Sequence, residues 1–366
     1  MVEMTKRQKR FELSGDVLKN LRESSGYTIE EIARKLKTTE AKIESAEKGK
    51  ASFTLTQIKK LAKIYNRPIA SFFSSSIQKL PQSPDYRINR EKRLTPNVYL
   101  AQRRAYYLSE KIKEISGKKT QFFLFSRELK ADELAKRFRE TLEIELIKNK
   151  KPDTILATYK EFLEFKLNVL IIEFPLKSND VRALSIFSDI SSIVLNEDDK
   201  PSIKLFSLFH EICHLIRKTG GICSLEEEVQ EQSEERYCNS FAAEFLVPKE
   251  DLKNEVKNYD LSVDKAIDQL SDVYGVSKQV MMIRLLENGY INKETYEKFK
   301  RGINEEEIKK EGKQFGRRNW DKVFLNRVGR LSLEEVRNAY LKENITFYEA
   351  SSILNLKTKY AERLIT

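Results

Sequence analysis

The chain has 366 residues, of which 34% are charged and 40% hydrophobic, and its formal net charge is +11. This composition is typical of a soluble globular protein of two or three domains rather than a disordered or membrane protein, and the positive charge is compatible with a nucleic-acid partner. The sequence has no apolar run of about 18 residues, and MVEMTKRQKR has no apolar stretch behind its charges, so we expect a cytoplasmic protein without membrane contact.

Residues 1–76 are predicted to form a helix-turn-helix domain. Apolar residues recur at helical spacing from Phe11 onward and predict five short helices. Thr28 and Glu31 form a capping box at the start of a helix that ends at Leu36. A short turn follows, and Thr39 to Ala46 then occupies the position of a recognition helix.

This first segment has sixteen Lys or Arg and nine Asp or Glu across residues 1–75, a balance that favours contact with DNA phosphates. However, Glu40 and Glu44 on the recognition helix would face those phosphates unfavourably. A solvated helix face or a protein-docking surface is therefore the alternative. The residues that we predict to contact DNA are Thr38, Thr39, Lys42, Ser45, Lys48 and Lys50.

Small residues and prolines in SSSIQKLPQSP predict a linker over residues 77–94. An amphipathic helix is predicted from Thr95 to Gly117, and further helices extend to about Lys166. Two apolar runs, starting at Leu167 and Val181, then predict strands of a small mixed sheet. The edge of this sheet could align an extended peptide, or the sheet could simply cover the helix that follows.

The two histidines of the chain lie four residues apart in the segment FSLFHEICHL, Phe206 to Leu215. His210, Glu211 and His214 form a His-Glu-x-x-His motif inside an apolar run that predicts a buried helix. Both imidazoles can bind one Zn²⁺ ion at about 2.0–2.1 Å, and Glu211 can transfer a proton from an activated water to a leaving amine. The motif predicts metal-assisted amide hydrolysis; the alternative is a metal-free histidine pair.

A catalytic zinc ion usually has three protein ligands and one open position. The chain has no third histidine, so the third ligand must be a carboxylate or a cysteine. In EERYCNSFAAEFLVP, Glu235 and Asn239 share a helix face, and Pro248 follows as a stop. We predict that Glu235 binds the metal and that Asn239 orients a ligating imidazole. The rival Glu234 is interpreted as a solvated charge of the acidic run Leu225 to Arg236.

The odd number of cysteines, without a secretory signal, argues against a disulfide framework. Cys213, Cys223 and Cys238 are interpreted as small buried hydrophobic residues. Because thiolates bind zinc well, Cys223 or Cys238 as an additional ligand is the alternative.

These motifs resemble the ImmA/IrrE family of metallopeptidases, whose members often carry an N-terminal Xre-type helix-turn-helix. The resemblance lies in FSLFHEICHLI, in ExxxN-x-FAAEFL-x-P, and in the Xre-like SGYTIEEIARKL, EKG and TLTQIKKLAKIY. It extends through LPQSPDYR and ISSIVLNEDD. It implies that His210, His214 and Glu235 are the zinc ligands and that Glu211 is the general base. It also implies a gluzincin-like zinc endopeptidase that cleaves a transcriptional repressor.

The sequence after Pro248 is predicted to be helical. The segment from Val263 resembles a helix-turn-helix-like pair that closes catalytic domains of this family, and we interpret it as structural. Lys293 to Asn319 is predicted to be an exposed helix or hinge. The block from Arg330 has helical periodicity that is broken at residues 344–346.

The predicted architecture is mainly α with a small mixed β-sheet. It comprises an all-α helix-turn-helix domain (1–76), a linker (77–94), an α+β zincin-like peptidase domain (95–292) and a C-terminal helical region (293–366). The predicted partners are a protein substrate (a repressor or antitoxin), double-stranded DNA and a second copy of the chain in a homodimer. The alternative function is a DNA-binding transcriptional regulator whose metal site is structural or sensory.

Overall fold

The structure is a computed structural model that describes residues 9–74, 94–122, 129–178, 180–218, 222–223, 233–261, 264–298 and 319–365, with only the backbone at 222–223 and at 264. Residues 77–93 of the predicted linker and most of the predicted hinge before Asn319 lie outside these ranges. Within them, no helix has both the length and the apolar character needed to cross a membrane. Contacts divide the chain into two compact units: residues 9–74 with 94–103, and the described residues from 104 onward.

The first unit is helical, in agreement with the prediction of five short helices. Its elements are α1 (Gly15–Glu23), α2 (Ile29–Leu36), α3 (Glu40–Glu47), α4 (Leu55–Tyr65) and a 3₁₀ helix (Ile69–Phe73). The predicted capping box is present, because the Thr28 hydroxyl accepts a hydrogen bond from the Glu31 amide at 3.1 Å and the Thr28 amide donates to the Glu31 carboxylate at 2.9 Å. An antiparallel pair of two-residue strands, β1 (Arg10–Phe11) and β2 (Phe53–Thr54), was not predicted.

The second unit surrounds a four-stranded sheet. Its strands are β3 (Leu170–Phe174), β4 (Ala183–Ile186), β5 (Ser192–Asn196) and β6 (Ile222–Cys223). Their order is β3-β5-β4-β6, with β5 parallel to β3 and antiparallel to β4. The sheet is therefore mixed, as predicted.

Helices surround this sheet. Those before the sheet are α5 (Pro96–Ser116), which begins in the first unit, α6 (Ala131–Leu142) and α7 (Pro152–Leu167). Those after β5 are α8 (Pro201–Arg217), α9 (Ser233–Leu246), α10 (Lys249–Glu255), α11 (Asp264–Tyr274) and α12 (Lys278–Glu287). The C-terminal helices are α13 (Trp320–Val328), α14 (Arg330–Leu341), α15 (Phe347–Leu354) and α16 (Thr358–Ile365).

Helix α8 is enclosed by the core of the second unit. It contacts α7, α9 and the strands β4 and β5. Phe209 on α8 stacks on Phe245 of α9 at a centroid distance of 3.9 Å and meets Tyr159 of α7 edge-to-face at 5.2 Å. A fully buried aromatic side chain contributes about 1.5–3 kcal/mol, so these contacts fix α8 relative to α9.

A buried charge network also holds the start of α8. Glu173 of β3 accepts hydrogen bonds from Lys160 at 2.8 Å and from Lys204 of α8 at 2.6 Å. Burial raises the pKa of Glu173, but the two ammonium groups outweigh burial and lower that pKa below its usual value. Removal of Glu173 would leave two buried ammonium groups without this carboxylate. The network therefore joins the sheet, α7 and α8.

Candidate metal centre

The His-Glu-x-x-His motif lies in the second half of α8. Pro201 begins the helix at its first turn, where a proline is tolerated because the missing amide has no intrahelical partner. His210 and His214 are 2% and 3% exposed, and Glu211 is fully buried. The two imidazoles share one helix face, and their Nε2 atoms are 3.0 Å apart. Two unprotonated ring nitrogens at this separation can share one cation.

Glu235 of α9 reaches the same point from the neighbouring helix. One carboxylate oxygen lies 3.3 Å from the Nε2 atom of His210, and the other lies 3.5 Å from the Nε2 atom of His214. Ligand atoms about 2.0–2.1 Å from a tetrahedral zinc ion are separated by about 3.3–3.4 Å from one another. The observed separations of 3.0, 3.3 and 3.5 Å bracket this value. The three side chains can therefore hold zinc with little movement.

Asn239 fixes the orientation of one imidazole. It lies one turn after Glu235 on α9, and its Oδ1 atom is 2.9 Å from the Nδ1 atom of His210. An amide oxygen only accepts hydrogen bonds, so Nδ1 carries the proton and the lone pair stays on Nε2, which faces Glu235. The structure therefore brings Asn239 against the imidazole of His210, and the role of this imidazole as a metal ligand stays a prediction.

The carboxylate of Glu211 is buried, and neither of its oxygens has a hydrogen-bond partner among the described residues. The hydroxyl of Ser185 favours its charged form, but a buried carboxylate with no hydrogen bond of good geometry is costly, so a bound polar group would stabilise it. Burial raises the pKa of Glu211, against the opposing effect of the imidazoles of His214 and His210. A carboxylate with a raised pKa next to a metal site is suited to accept a proton.

The charges of the cluster stabilise one another. Burial raises the pKa of Glu235, but hydrogen bonds from His210 and His214 outweigh it and hold this pKa well below its usual range. Burial lowers the pKa of His214, but contacts with Cys238 and Glu235 outweigh it and raise this pKa to about 11. The cluster therefore strongly favours positive charge at the point where the three side chains meet.

Helix α3 and the residues around it expose both basic and acidic side chains. Thr39, Lys48 and Lys50 are exposed, whereas Thr38, Lys42 and Ser45 are half-buried, so all six predicted DNA contacts retain some accessibility. Glu40 and Glu44 are also exposed on α3. The acidic groups that oppose DNA binding therefore share the helix with the predicted contacts.

Comparison with protein families gives matches to two segments of the chain. Residues 165–286 match the family model of the IrrE N-terminal-like domain of the M78 peptidases, and residues 15–70 match a helix-turn-helix domain. The chain carries an IrrE N-terminal-like peptidase domain. The predicted resemblance to the ImmA/IrrE metallopeptidases with an N-terminal helix-turn-helix is thus confirmed for these segments. No match to the chain was found among curated proteins or solved structures.

The two neighbouring glutamates of the IrrE-like domain have different surroundings. Glu235 joins the histidines, and Glu234 forms an ion pair with Arg217, the last residue of α8. The Arg217 guanidinium also lies over the ring of Tyr237, 4.0 Å from its centroid. Glu234 is 23% exposed, so the prediction of a simply solvated charge was wrong. An arginine on another helix, about 17 residues away, gives no local sequence signal.

The described cysteines of the IrrE-like domain are buried. Cys213 and Cys238 are free thiols with no exposed surface, in agreement with their interpretation as small hydrophobic residues. Among the described side chains, only His210, His214 and Glu235 form a group that could hold a metal ion. The side chain of Cys223 lies outside the described residues. Within the described side chains, the group therefore supplies three ligand atoms of the four that a tetrahedral zinc ion takes.

Proposed function

We propose that this protein is a zinc-dependent endopeptidase of the gluzincin type. The observation that carries the proposal is the meeting of two buried imidazoles and one carboxylate at separations of 3.0–3.5 Å, next to the buried carboxylate of Glu211. A structural zinc site is normally closed by four ligands, whereas an open three-ligand set is typical of catalysis. This difference favours the peptidase over a regulator with a structural or sensory metal.

In this mechanism His210, His214 and Glu235 hold Zn²⁺, which when bound lowers the pKa of water and polarises a carbonyl. Glu211 accepts the proton of the attacking water and delivers it to the nitrogen of the leaving amine. Its raised pKa makes this carboxylate both a usable base and a usable acid. Asn239 keeps the His210 proton on Nδ1 and so keeps Nε2 available as a ligand atom.

The proposed substrate is a regulatory protein, either a transcriptional repressor or an antitoxin. The supporting observation is the helix-turn-helix domain in the same chain as the peptidase domain. If both proteins bind near the same DNA site, tethering raises their effective concentration without any new contact. The proposed DNA contacts are those named above on and around α3. Substitution of Lys48 and Lys50 by Gln should weaken binding to duplex DNA and reduce its salt dependence.

The test compares cells that produce the parent protein with cells that produce Glu211→Gln. Glutamine keeps the shape of the side chain but cannot accept the proton, so the variant should bind zinc normally and cleave nothing. New protein N-termini in the two cell populations are identified by mass spectrometry. We expect a new N-terminus within a DNA-binding regulator with the parent alone. The same new N-termini with Glu211→Gln would refute the assigned mechanism.

A further inference from the structure

The last two helices of the chain repeat the geometry of the N-terminal helix-turn-helix. Helices α2 and α3 have eight residues each and are separated by residues 37–39. Helices α15 and α16 also have eight residues each and are separated by residues 355–357. Both pairs begin with a threonine capping box, Thr28 with Glu31 and Thr346 with Glu349. The two segments therefore align residue for residue without a gap.

The turns between the helices have the same backbone conformation. Lys37 and Asn355, which end the first helices, have left-handed φ angles of 56° and 51°. The next amide donates to the carbonyl five residues earlier in both cases, from Thr38 to Ala33 at 2.9 Å and from Leu356 to Ser351 at 3.0 Å. The same type of hydrogen bond, from Val276 to Ser271, also closes the turn after α11, so the turn is shared by the two segments but is not by itself specific to them.

The inner and outer faces of the C-terminal pair are also those of a helix-turn-helix. Apolar residues at positions equivalent to the core of the first domain are buried against α14 and within the pair: Ala350, Leu354 and Ala361, which align with Ile32, Leu36 and Ile43. The outer face at the start of α16 is exposed and carries Lys357, Thr358 and Lys359. A recognition helix contacts base edges with residues at this N-terminal end.

Another helix pair of the same chain, α11 and α12, differs from α15 and α16 in the burial of its second helix. Helices α11 and α12 are also joined by a three-residue turn, which begins at Gly275 with a φ angle of +68°. However, α12 is buried along much of its length through Val280, Met281, Met282, Arg284 and Leu285, so it cannot enter a DNA groove. Helix α16 buries only Ala361 and Ile365. Tyr360 and Arg363 of α16 contact Phe324 and Asp321 of α13, whereas the first residues of α16 are exposed.

We propose that Thr346–Ile365 is a second helix-turn-helix of this protein and that it binds duplex DNA, with the start of α16 in the major groove. Lys357 and Lys359 contact phosphates, and Thr358 lies between them at the position nearest to the bases. Tyr348, which is 81% exposed near the start of α15, can donate a hydrogen bond to a further phosphate. This proposal does not depend on the peptidase activity.

Hydrogen bonds and an ion pair attach α14, against which the proposed second helix-turn-helix packs, to the rest of the second unit, and Arg104 donates to the carbonyl of Ile353 at 3.0 Å. The buried carboxylate of Glu164 accepts hydrogen bonds from the amides of Arg330 and Leu331, at the start of α14, at 3.3 and 3.2 Å. Lys118 pairs with Glu335 of the same helix at 2.7 Å. DNA bound by the last helices would therefore hold the peptidase domain itself in a fixed orientation.

The test uses the full chain and a duplex selected by that chain from a random library. The variant Lys357→Gln/Lys359→Gln removes two proposed phosphate contacts. The matched control is Lys249→Gln/Lys253→Gln on α10, where both lysines are exposed. Each lost contact lowers the slope of log affinity against log salt by about 0.9, so we expect a slope smaller by about 1.8 and roughly 60-fold weaker binding at 0.1 M salt.

Equal thermal unfolding of both double variants and the parent protein establishes that the fold is intact. The proposal is supported if only Lys357→Gln/Lys359→Gln loses affinity and salt dependence. Identical binding by the parent protein and this variant would overturn it, as would failure of the full chain to select any duplex. An equal loss in the control variant would also overturn it, because the effect would then arise from net charge alone.

Discussion

Replacement of Asn239 by alanine should weaken zinc binding without removing a ligand. The substitution deletes the acceptor that lies 2.9 Å from Nδ1 of His210, so the proton is free to occupy either ring nitrogen. Loss of such an orienting partner typically costs about 10- to 100-fold in metal affinity, or about 1.4–2.7 kcal/mol. His210 is only 2% exposed, and packing still restricts its ring, so we expect the lower part of this range, about 10- to 30-fold.

The assay is competition for zinc between the protein and a chromophoric chelator. Asn239→Asp keeps an oxygen acceptor at the same position and should retain most of the affinity, and the neighbouring exposed residue in Ser240→Ala should have no effect. Equal zinc affinity of Asn239→Ala and the parent protein would refute the reasoning. An equal loss in Asn239→Asp would also refute it, because the hydrogen-bond acceptor would then not be the cause.

Two further predictions concern stability. Phe245→Ala should lower the free energy of unfolding by about 3–5 kcal/mol, because Phe245 is fully buried and stacks on Phe209. As a control, Phe165→Ala at a 45% exposed site should change this free energy by less than about 0.5 kcal/mol. Chemical denaturation measures both values. Burial raises the pKa of Glu164 from 4.5 to about 7, against Lys160 and the backbone amides that favour the carboxylate, so the free energy of unfolding falls by about 3 kcal/mol as pH rises from about 4.5 to about 7. The free energy of unfolding of Glu164→Gln should therefore fall less than that of the parent protein between about pH 5 and about pH 8. An equal fall in both proteins would show that Glu164 does not cause the pH dependence.

Local sequence patterns were sufficient to predict the two helices that carry the candidate metal ligands. The apolar run around His210 predicts the buried helix, and the spacing of Glu235 and Asn239 places both on one face of the next helix. Both signals depend only on residues within one or two turns. The same holds for the capping box at Thr28, whose partner Glu31 is three residues away.

The contacts that support the centre could not be predicted because their partners are distant in sequence. Glu173 is a charged residue inside the apolar strand LIIEF. This pattern indicates that the carboxylate has a buried partner, but it does not identify the partner residue. The partners are lysines on two different helices, and only the fold brings them together. The two-residue strand β6, which pairs with β4, is likewise too short to give a periodic signal.

The C-terminal helix-turn-helix is a different case, because its signals are local. Thr346 and Glu349 form a capping box, and Asn355 stands where the left-handed turn is required. The sequence predicts these helices and the break at residues 344–346. The similarity to the first domain appears when the two segments are aligned without a gap.

The central claim is that His210, His214 and Glu235 hold one zinc ion at an open catalytic site. Elemental analysis of the purified protein and of His210→Ala, Glu235→Ala and Glu234→Ala tests it most directly. We expect about one zinc per chain in the parent protein and in Glu234→Ala, and little in the other two variants. Zinc retained in Glu235→Ala, or lost in Glu234→Ala alone, would contradict this assignment.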